Sequence, residues 1–206
     1  FINGLPLVIL EAKRPQSGGD KAMVEEGISQ SIRNQKPDEI PLLFAYSQLL
    51  LSVSNVDGRY GTTRTPAKFW SAWREEEFDD AHFAAIKNAV LPEQDLERLL
   101  ALRKPHERRY FNALWAEDEL PTDQDKLIIS LLDRERLLEF IRLFILFDRK
   151  VGKIAARYQQ FFGIRELLGR IDERKPDGGR EGGVVWHTTG SGKSFTMVLL
   201  CKALLY

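Results

Sequence analysis

The feature that most restricts the fold of this sequence lies near its end, where a glycine-rich turn separates two apolar segments. The apolar run at residues 184–186 has the composition of a strand, and residues 195–200 have a helical pattern. A strand, a tight turn and a helix start in this order can point several backbone N–H groups at one anion, and the helix dipole attracts that anion as well. We therefore predict that the turn at residues 187–194, His-Thr-Thr-Gly-Ser-Gly-Lys-Ser, binds phosphate groups.

Two side chains at the end of the turn suit a bound nucleotide. Lys193 can reach the terminal phosphates of ATP, and the Ser194 hydroxyl can ligate the Mg²⁺ ion that bridges them. The full motif has a glycine five residues before Gly192, where this sequence has His187, so a chance glycine-rich turn is the alternative. The flanking strand and helix patterns favour the motif. The residues expected to bind ATP in this turn are Thr189, Gly190, Ser191, Gly192, Lys193 and Ser194, with Ser194 also at the metal.

Composition limits the number of domains but does not indicate a binding partner. Its 206 residues are enough for about one or two domains. Thirty basic and thirty acidic side chains cancel, so no overall field attracts nucleic acid, and any such role must depend on local sites. Because the sequence starts at Phe1 without methionine and stops 12 residues after Ser194, we expect it to be part of a longer protein.

Cysteine content and hydropathy predict a cytoplasmic protein without a membrane span. The single cysteine, Cys201, cannot form an internal disulfide, and its position in the apolar last segment predicts a buried, inert thiol in a reducing compartment. The most apolar stretch, residues 137–147, contains Glu139 and Arg142 and is too short to cross a bilayer. That stretch is therefore expected to be a buried helix.

Hydrophobic patterns divide the chain into a mixed α/β part and a mostly helical part. Asn3-Gly4 is a turn signal ahead of the first apolar run. From residue 79 to about residue 168 the pattern is helical. The fold class predicted is α/β: a mixed sheet, a helical segment and a strand–loop–helix unit at the end. The early segments are a strand over residues 5–10, a helix over 22–33, strands over 42–46 and 49–53, a turn over 55–58 and a loop over 59–77.

A second chemical site is predicted at the end of the first strand, at Glu11 and Lys13. Alternation along a strand places these two side chains on the same face, next to each other. A carboxylate and an ammonium at such a place can hold a divalent metal and polarise a phosphodiester or its attacking water. A solvated ion pair is the alternative, because Glu-x-Lys is a common sequence. The apolar strand before the pair, and the helix after it with Gln30, favour the metal site.

Glu11, Lys13 and Gln30, at a strand end and on the next helix, resemble the nuclease core shared by many restriction endonucleases. The chain as a whole resembles one family, the motor-endonuclease (restriction) subunits of type I restriction–modification enzymes. The Thr-Gly-Ser-Gly-Lys-Ser turn is similar to the form found in superfamily 2 helicases and DNA translocases. The blocks that carry the family resemblance lie, in the family's order, at residues 3–8, 11–13, 55–62, 69–73, 144–148 and 153–160.

The resemblance implies an ATP-dependent DNA translocase joined to a metal-dependent endonuclease that cleaves double-stranded DNA. It also implies modification (methyltransferase) and specificity subunits as partners. Glu11 and Lys13 match the nuclease Glu-x-Lys, with Glu11 at the Mg²⁺ ion, and a metal-binding aspartate would lie before the first residue. Gln30 matches the glutamine of the family's Gln-x-x-x-Tyr motif, although Asn34 replaces the tyrosine. Gln160 matches the glutamine that reads the adenine edge in such motors.

The resemblance further implies how the chain divides. We expect an endonuclease-like domain with a restriction-endonuclease-like sheet over residues 1–78, a helical connecting segment over 79–150, and the start of a helicase-like, RecA-like parallel-sheet motor domain over 151–206. Two other interpretations stay open. One is a superfamily 2 helicase-like ATPase whose nuclease-fold domain only binds DNA or a partner, and the other is a phosphate-loop ATPase without a nucleic-acid role. Both predict that Glu11 and Lys13 can be replaced without loss of activity.

Overall fold

The computed structural model describes residues 1–14, 19–180, 182–186, 188 and 190–206. In this part of the chain, helices and two small sheets form a mixed α/β fold, as the sequence predicts, and no helix is both long and apolar enough to cross a membrane. The strands are β1 (Val8–Ala12), β2 (Leu49–Ser54), β3 (Asp57–Gly61), β4 (Ile145–Asp148) and β5 (Gly152–Ala155). The α-helices are α1 (Asp20–Asn34), α2 (Asp80–Lys87), α3 (Glu93–Leu100), α4 (Pro105–Leu114), α5 (Asp123–Leu132), α6 (Arg134–Leu143), α7 (Tyr158–Asp172) and α8 (Lys193–Leu204).

The first sheet has three strands in the order β1–β2–β3. β1 and β2 run parallel, so the chain must cross over between them, and helix α1 makes that crossing. β3 is antiparallel to β2 and follows it through a tight turn at Asn55, which has a positive φ of 40°. The register places Glu11 beside Ser52, and Ser52 beside Arg59, so these three side chains share one face of the sheet.

Helix α1 packs closely on that face because it carries a glycine where the two elements touch. A Cβ atom on Gly27 would lie 2.3 Å from the Ser52 Oγ. The Ser52 hydroxyl donates a 2.7 Å hydrogen bond to the carbonyl of Val24. Val24 and Ile28 pack with Leu50 in a small core. The glycine and the serine therefore fix how close α1 lies to β1 and β2.

The opposite face of the sheet is covered by later helices. Leu49 and Leu51 point to this face, and both are fully buried. They belong to one hydrophobic core with residues of α5, α6, α7 and α8, as far along the chain as Leu199. Inside this core the Tyr60 hydroxyl, whose pKa is raised by burial, donates a 2.7 Å hydrogen bond to the carbonyl of Ala156. A single core thus connects the first sheet to the last helix.

The second sheet is an antiparallel pair, β4 and β5, that docks against the first sheet. The Thr62 hydroxyl donates a 3.0 Å hydrogen bond to the carbonyl of Lys153, and the Lys153 ammonium donates a 2.6 Å bond to the carbonyl of Ser47. Burial lowers the pKa of Lys153. This pair of strands interrupts the helical pattern predicted over residues 79–168, which otherwise holds from α2 to α6. These bonds hold β5 against the first sheet, and β5 leads directly into α7. The first sheet therefore fixes where α7 begins.

A buried ion network fastens the segment after β3 to helices α5 and α6. The Arg136 side chain, only 3% exposed, pairs with Glu75 at 2.6 Å and with Glu77 at 2.7 Å. Glu75 also accepts hydrogen bonds from the indole N–H of Trp73, at 2.8 Å, and from the hydroxyl of Ser130, at 2.7 Å. A buried charge is stable only when it is paired and hydrogen-bonded, so these groups depend on one another.

Three segments of the first part of the chain differ from the prediction. Residues 42–46 do not form a strand, because Pro41–Phe44 is a short 3₁₀ helix whose first-turn proline favours helical backbone angles. The strand predicted over residues 5–10 begins only at Val8. The loop predicted over residues 59–77 contains most of β3, whose glycines and charged residues are poor strand signals.

For the last part of the chain, one prediction is confirmed and two are wrong. Helix α8 follows the glycine-rich turn, as predicted. The strand predicted over residues 184–186 is absent: these residues have no regular structure, and Trp186 is 88% exposed, since no strand of the described part pairs with them. Cys201, predicted to be buried, is exposed, because Thr196 and Leu199 form the buried face of α8 instead.

Candidate functional site

The Lys13 ammonium is the centre of a polar cluster between β1 and α1. Its Nζ lies 2.5 Å from the Gln30 Oε1, 3.4 Å from the Glu11 Oε1 and 3.5 Å from the Glu26 Oε1. The Lys13 and Glu11 side chains are 16% and 24% exposed, so the cluster reaches the surface but is partly shielded from solvent. The structure brings together the three residues that the sequence placed at this site, with Glu26 as a fourth.

The sheet and the crossover helix hold the cluster through close backbone packing. Glu11 lies in β1, and the N–H of Lys13 donates a 2.9 Å hydrogen bond to the carbonyl of Val53, which extends the pairing with β2. Alternation then places Glu11 and Lys13 on the face that α1 covers. Gly27 lets α1 approach this face so closely that the Glu11 Cγ lies 3.4 Å from the position of a Gly27 Cβ. The side chains of α1 are therefore within reach of Lys13.

Glu26 is a member of the cluster that the sequence motifs do not include. It lies four residues before Gln30 in α1, and residues four apart lie on the same side of a helix. Because Gln30 faces Lys13, the spacing alone indicates that Glu26 is close as well. Asn34, which replaces the motif tyrosine, is four residues beyond Gln30 and ends α1.

The oxygen atoms of the cluster suit a hard cation such as Mg²⁺. Proteins often hold Mg²⁺ by one or two carboxylates, with water and substrate phosphate oxygens completing its ligands. Within the described ranges, no group of three or more histidine, cysteine, aspartate or glutamate side chains could hold a metal by itself. The residues present therefore fit a site in which Glu11 ligates Mg²⁺ together with a bound phosphodiester, with Lys13 beside it to offset negative charge.

The glycine-rich turn has the backbone geometry of an anion site. Gly190 and Gly192 have positive φ values of 80° and 88°, which residues with a side chain rarely adopt. The Gly192 carbonyl accepts hydrogen bonds from the N–H groups of Phe195 and Thr196, at 2.9 and 3.1 Å, and so starts α8. The Ser191 Oγ is buried, with no hydrogen-bond partner in the part of the chain that the structure describes. A phosphate oxygen at the turn would provide one, so the turn fits the phosphates of ATP.

The two side chains predicted to act on those phosphates lie at the start of α8. Lys193 and Ser194 are the first two residues of the helix, and both are exposed. A helix N-terminus attracts negative charge through its dipole and through its first N–H groups. Thr189 and His187, which belong to the predicted turn, lie outside the described residues.

Gln160, predicted to contact the adenine edge, lies against the same turn. Its Nε2 donates a 3.1 Å hydrogen bond to the carbonyl of Gly192, and its Oε1 accepts one of 2.9 Å from the N–H of Arg157. The residue is 4% exposed. These two bonds use one N–H and one lone pair of an amide that has two of each. Gln160 therefore joins the start of α7 to the turn before α8.

A cavity of about 370 Å³ opens beside Gln160 and the turn. Its volume is in the range typical of small-molecule sites. Residues from three separate segments of the chain line it, at 60–71, 146–160 and 190–199, since it lies between the first sheet, the second sheet and the start of α8. Such a cavity is large enough for the ring of a nucleotide whose phosphates lie on the turn. The lining residues include Pro66, Phe69, Gln160, Gly190, Gly192 and Phe195.

Two protein families match parts of the chain. The family described as Type I restriction enzyme R protein N terminus matches residues 1–69, which contain the Lys13 cluster. The family described as SWI2/SNF2 ATPase matches residues 159–206, which contain Gln160 and the glycine-rich turn. Each of the two sites therefore lies in a segment with its own family match.

The chain is also similar over its whole length to longer proteins. It is 31% identical over 210 residues to the type I restriction enzyme HindI endonuclease subunit of Haemophilus influenzae, a match that covers 100% of this chain and 16% of that protein. It is 29% identical over 212 residues to a Methanocaldococcus jannaschii protein provisionally named the MjaIXP type I restriction enzyme endonuclease subunit, covering 100% of this chain and 18% of that protein. The chain thus spans less than a fifth of the length of these relatives.

Proposed function

We infer the function of this chain from the family to which it belongs, the endonuclease (R) subunits of type I restriction enzymes. We propose that it takes part in metal-dependent cleavage of double-stranded DNA, coupled to ATP-dependent translocation along that DNA. The observation that carries the proposal is the convergence of Gln30 and Glu11 on the Lys13 ammonium, within the segment that matches the R protein N terminus. The order of a nuclease-like cluster followed by a phosphate-binding turn supports it.

In the proposed nuclease site, each residue has a separate task. Glu11 would ligate Mg²⁺, which when bound polarises the phosphodiester and its attacking water. Lys13 would offset the negative charge that develops on the phosphate during cleavage, because its ammonium lies beside Glu11. Gln30 would hold the Lys13 ammonium in place through its 2.5 Å hydrogen bond. The cleavage chemistry would thus depend on a short segment of β1 and one side of α1.

In the proposed nucleotide site, the turn binds the phosphates of ATP and the adjacent cavity takes the adenine. Lys193 would neutralise the terminal phosphates, and Ser194 would ligate the bridging Mg²⁺. Gln160 would contact the adenine edge with the second N–H and lone pair of its amide. The buried Ser191 Oγ, the positive φ values of the glycines and the SWI2/SNF2 match support this assignment. Thr189, Gly190, Ser191 and Gly192 complete the proposed phosphate contacts.

The proposed assembly and domain plan follow from the family. We propose double-stranded DNA as the substrate, and modification and specificity subunits as partners that recognise it. The absence of net charge in the sequence agrees with recognition by a partner subunit, since this chain has no overall field that would attract DNA. We propose a nuclease-like domain over residues 1–78 and the start of a RecA-like motor domain over residues 151–206.

A second candidate function is a helicase-like ATPase whose nuclease-fold region only binds DNA or a partner. The observation that favours it is Asn34, which stands where the Gln-x-x-x-Tyr motif has tyrosine. In that case the Lys13 cluster would be an ordinary surface ion pair, worth about 1 kcal/mol or less. The two candidates differ in whether Glu11 and Lys13 are needed for DNA cleavage.

The deciding experiment is to replace Glu11 or Lys13 by alanine in the assembled restriction enzyme. DNA cleavage and triplex displacement, which reports translocation, are measured on the same preparation. We expect cleavage to fall by about a hundredfold or more, on the scale of losing a transition-state charge contact. Triplex displacement should continue, because neither substitution alters the phosphate-binding turn. Glu25→Ala, at an exposed position of α1, is the matched control and should cleave normally.

Cleavage at the normal rate by Glu11→Ala would refute the nuclease assignment and favour the binding-only candidate. Loss of cleavage and displacement together would show that the two sites act as one unit. The continuous core from β2 to α8 makes that outcome physically possible, since damage at one site can reach the other through packed side chains.

A further inference from the structure

We propose that Glu26 is a positioning residue for Lys13 during DNA cleavage, a role that rests on the proposed nuclease function. Its Oε1 lies 3.5 Å from the Lys13 Nζ, and its side chain is 58% exposed. It is therefore a partly exposed carboxylate at the outer edge of the cluster. It faces Lys13 from α1, whereas Glu11 faces Lys13 from β1.

The three oxygen neighbours of the Lys13 ammonium match its three N–H donors. This balance would change if Glu11 ligated a cation. The Glu11 carboxylate would then compensate less of the Lys13 charge, and the added positive charge would repel the ammonium, because like charges a few ångströms apart disfavour each other. Gln30 can still accept a hydrogen bond but carries no charge. Glu26 is the group of α1 that supplies a negative charge to hold Lys13 against that repulsion.

Other charged residues on the same face do not offer this support. Asp57 and Arg59 of β3 lie on the face that carries Glu11 and Ser52, and they form an ion pair with each other. Among the described residues, Glu11 and Glu26 are the carboxylates within 4.0 Å of the Lys13 Nζ. When Glu11 is engaged at a metal, Glu26 is the remaining one.

The test replaces Glu26 by glutamine in the assembled enzyme and measures cleavage at saturating DNA and Mg²⁺. We expect the cleavage rate to fall about two- to fivefold, the range for losing one partly exposed ion pair. The half-saturating Mg²⁺ concentration should rise only slightly, by about fivefold or less, because Glu26 acts on the metal through one partly exposed ion pair and not as a ligand. The rate of triplex displacement should not change, because Glu26 is remote from the turn in sequence. Glu26→Asp, which keeps the charge on a shorter stem, should recover part of the rate.

Glu25→Gln is the matched control, since it removes the same charge from the next position of α1, and it should cleave at the normal rate. Equal loss in Glu25→Gln and Glu26→Gln would indicate a general effect of helix charge and overturn the proposal. A rise in the half-saturating Mg²⁺ concentration with no loss of rate at saturating Mg²⁺ would make Glu26 a metal ligand instead. Normal cleavage by Glu26→Gln, with Glu11→Ala inactive, would refute the positioning role and leave the nuclease assignment intact. Cleavage at the normal rate by Glu11→Ala would refute both the positioning role and the nuclease assignment.

Discussion

The side-chain amide of Gln160 donates a 3.1 Å hydrogen bond to the backbone carbonyl of Gly192, and so joins the start of α7 to the turn that opens α8. The same carbonyl accepts the first hydrogen bonds of α8. One side chain therefore contacts the turn at the atom on which the helix start depends. A change at Gln160 should alter nucleotide binding as well as stability.

Gln160→Glu and Gln160→Ala should differ in how far they lower stability. Glutamate can still accept the hydrogen bond from the N–H of Arg157, but its buried carboxylate would face the Gly192 carbonyl oxygen without a proton to donate. We expect Gln160→Glu to weaken ATP binding and to lower the melting temperature more than Gln160→Ala does, because it places an unpaired charge in a buried position. Gln160→Ala should lose both contacts and lower the free energy of unfolding by about 1–3 kcal/mol. Nucleotide titration and thermal denaturation measure the two effects, with the exposed Gln159→Ala as control.

Alanine at Gly192 should be more harmful than alanine at Gly190, although both have positive φ values. A Cβ on Gly190 meets no atom within 4 Å, so the expected cost there is the backbone strain alone, about 1–2 kcal/mol. A Cβ on Gly192 would also lie 2.9 Å from the Gln160 Nε2 and displace it. Gly169→Ala, in the last turn of α7 with open space around it, should instead stabilise the protein by about 0.5–1 kcal/mol. Equal melting temperatures for the Gly190 and Gly192 variants would contradict the described contact.

Lys193→Ala in the assembled enzyme should abolish ATP hydrolysis and, with it, translocation. In the proposed nucleotide site, Lys193, the first residue of α8, would neutralise charge on the terminal phosphates, and removing such a contact costs about 3–4 kcal/mol of transition-state stabilisation. Lys193→Arg should fail as well, because a planar guanidinium does not replace a compact ammonium inside a tight turn. Steady-state ATPase assays test both variants. Near-normal hydrolysis by either one would mean that the turn is not catalytic.

The stability of the protein should fall in acid, in part through Glu75. Burial favours a raised pKa for Glu75, but hydrogen bonds from Ser130, Trp73 and the N–H of Glu77, together with the charge of Arg136, hold that pKa below its usual 4.5. A carboxyl whose pKa is lowered on folding adds stability above its usual pKa and loses it as the pH falls through the lowered value. Unfolding free energies measured from pH 7 down to pH 2 should therefore decrease below about pH 4.5.

Glu75→Gln should remove part of that acid sensitivity and lower the free energy of unfolding at neutral pH by about 3–5 kcal/mol, because it leaves the buried Arg136 charge short of a partner. The neighbouring Glu76 is a control for which the opposite effect on stability is expected. Burial and the charges of Glu75 and Glu166 raise the pKa of Glu76, so its ionised form is disfavoured in the folded protein. Glu76→Gln should therefore raise the melting temperature slightly at pH 7, and a fall there would contradict the assignment.

The polar cluster could be predicted from the sequence because its parts are coded locally. A short apolar run, strict alternation and a helical pattern after it place Glu11 and Lys13 side by side with α1 above them. The member that the motifs do not include, Glu26, follows from helical spacing once Gln30 is known to face Lys13. The closeness of α1 to the sheet could not be predicted, because it depends on the contact between Gly27 and Ser52, two residues far apart in the sequence.

The errors fall where long-range contacts determine local structure. β3 has the sequence Asp-Gly-Arg-Tyr-Gly, with one large apolar residue, and it forms because it pairs with β2 and buries Tyr60. Residues 184–186 have the opposite character, since their apolar side chains suit a strand but no strand of the described part lies beside them. Strand formation depends on a partner strand more than on the composition of a segment. Composition therefore misses the strand at β3 and predicts one at residues 184–186 that does not form.

The hydrogen bond between Tyr60 and Ala156 joins residues that are 96 positions apart. At roughly 5–20 residues per second, a ribosome needs about 5–20 seconds to add the intervening chain. During that time β2, whose six residues are all buried in the finished fold, exists without the helices that cover one of its faces. An apolar face that stays uncovered can associate with other exposed apolar surfaces, so newly made protein should need a chaperone most while residues 60–156 are being synthesised.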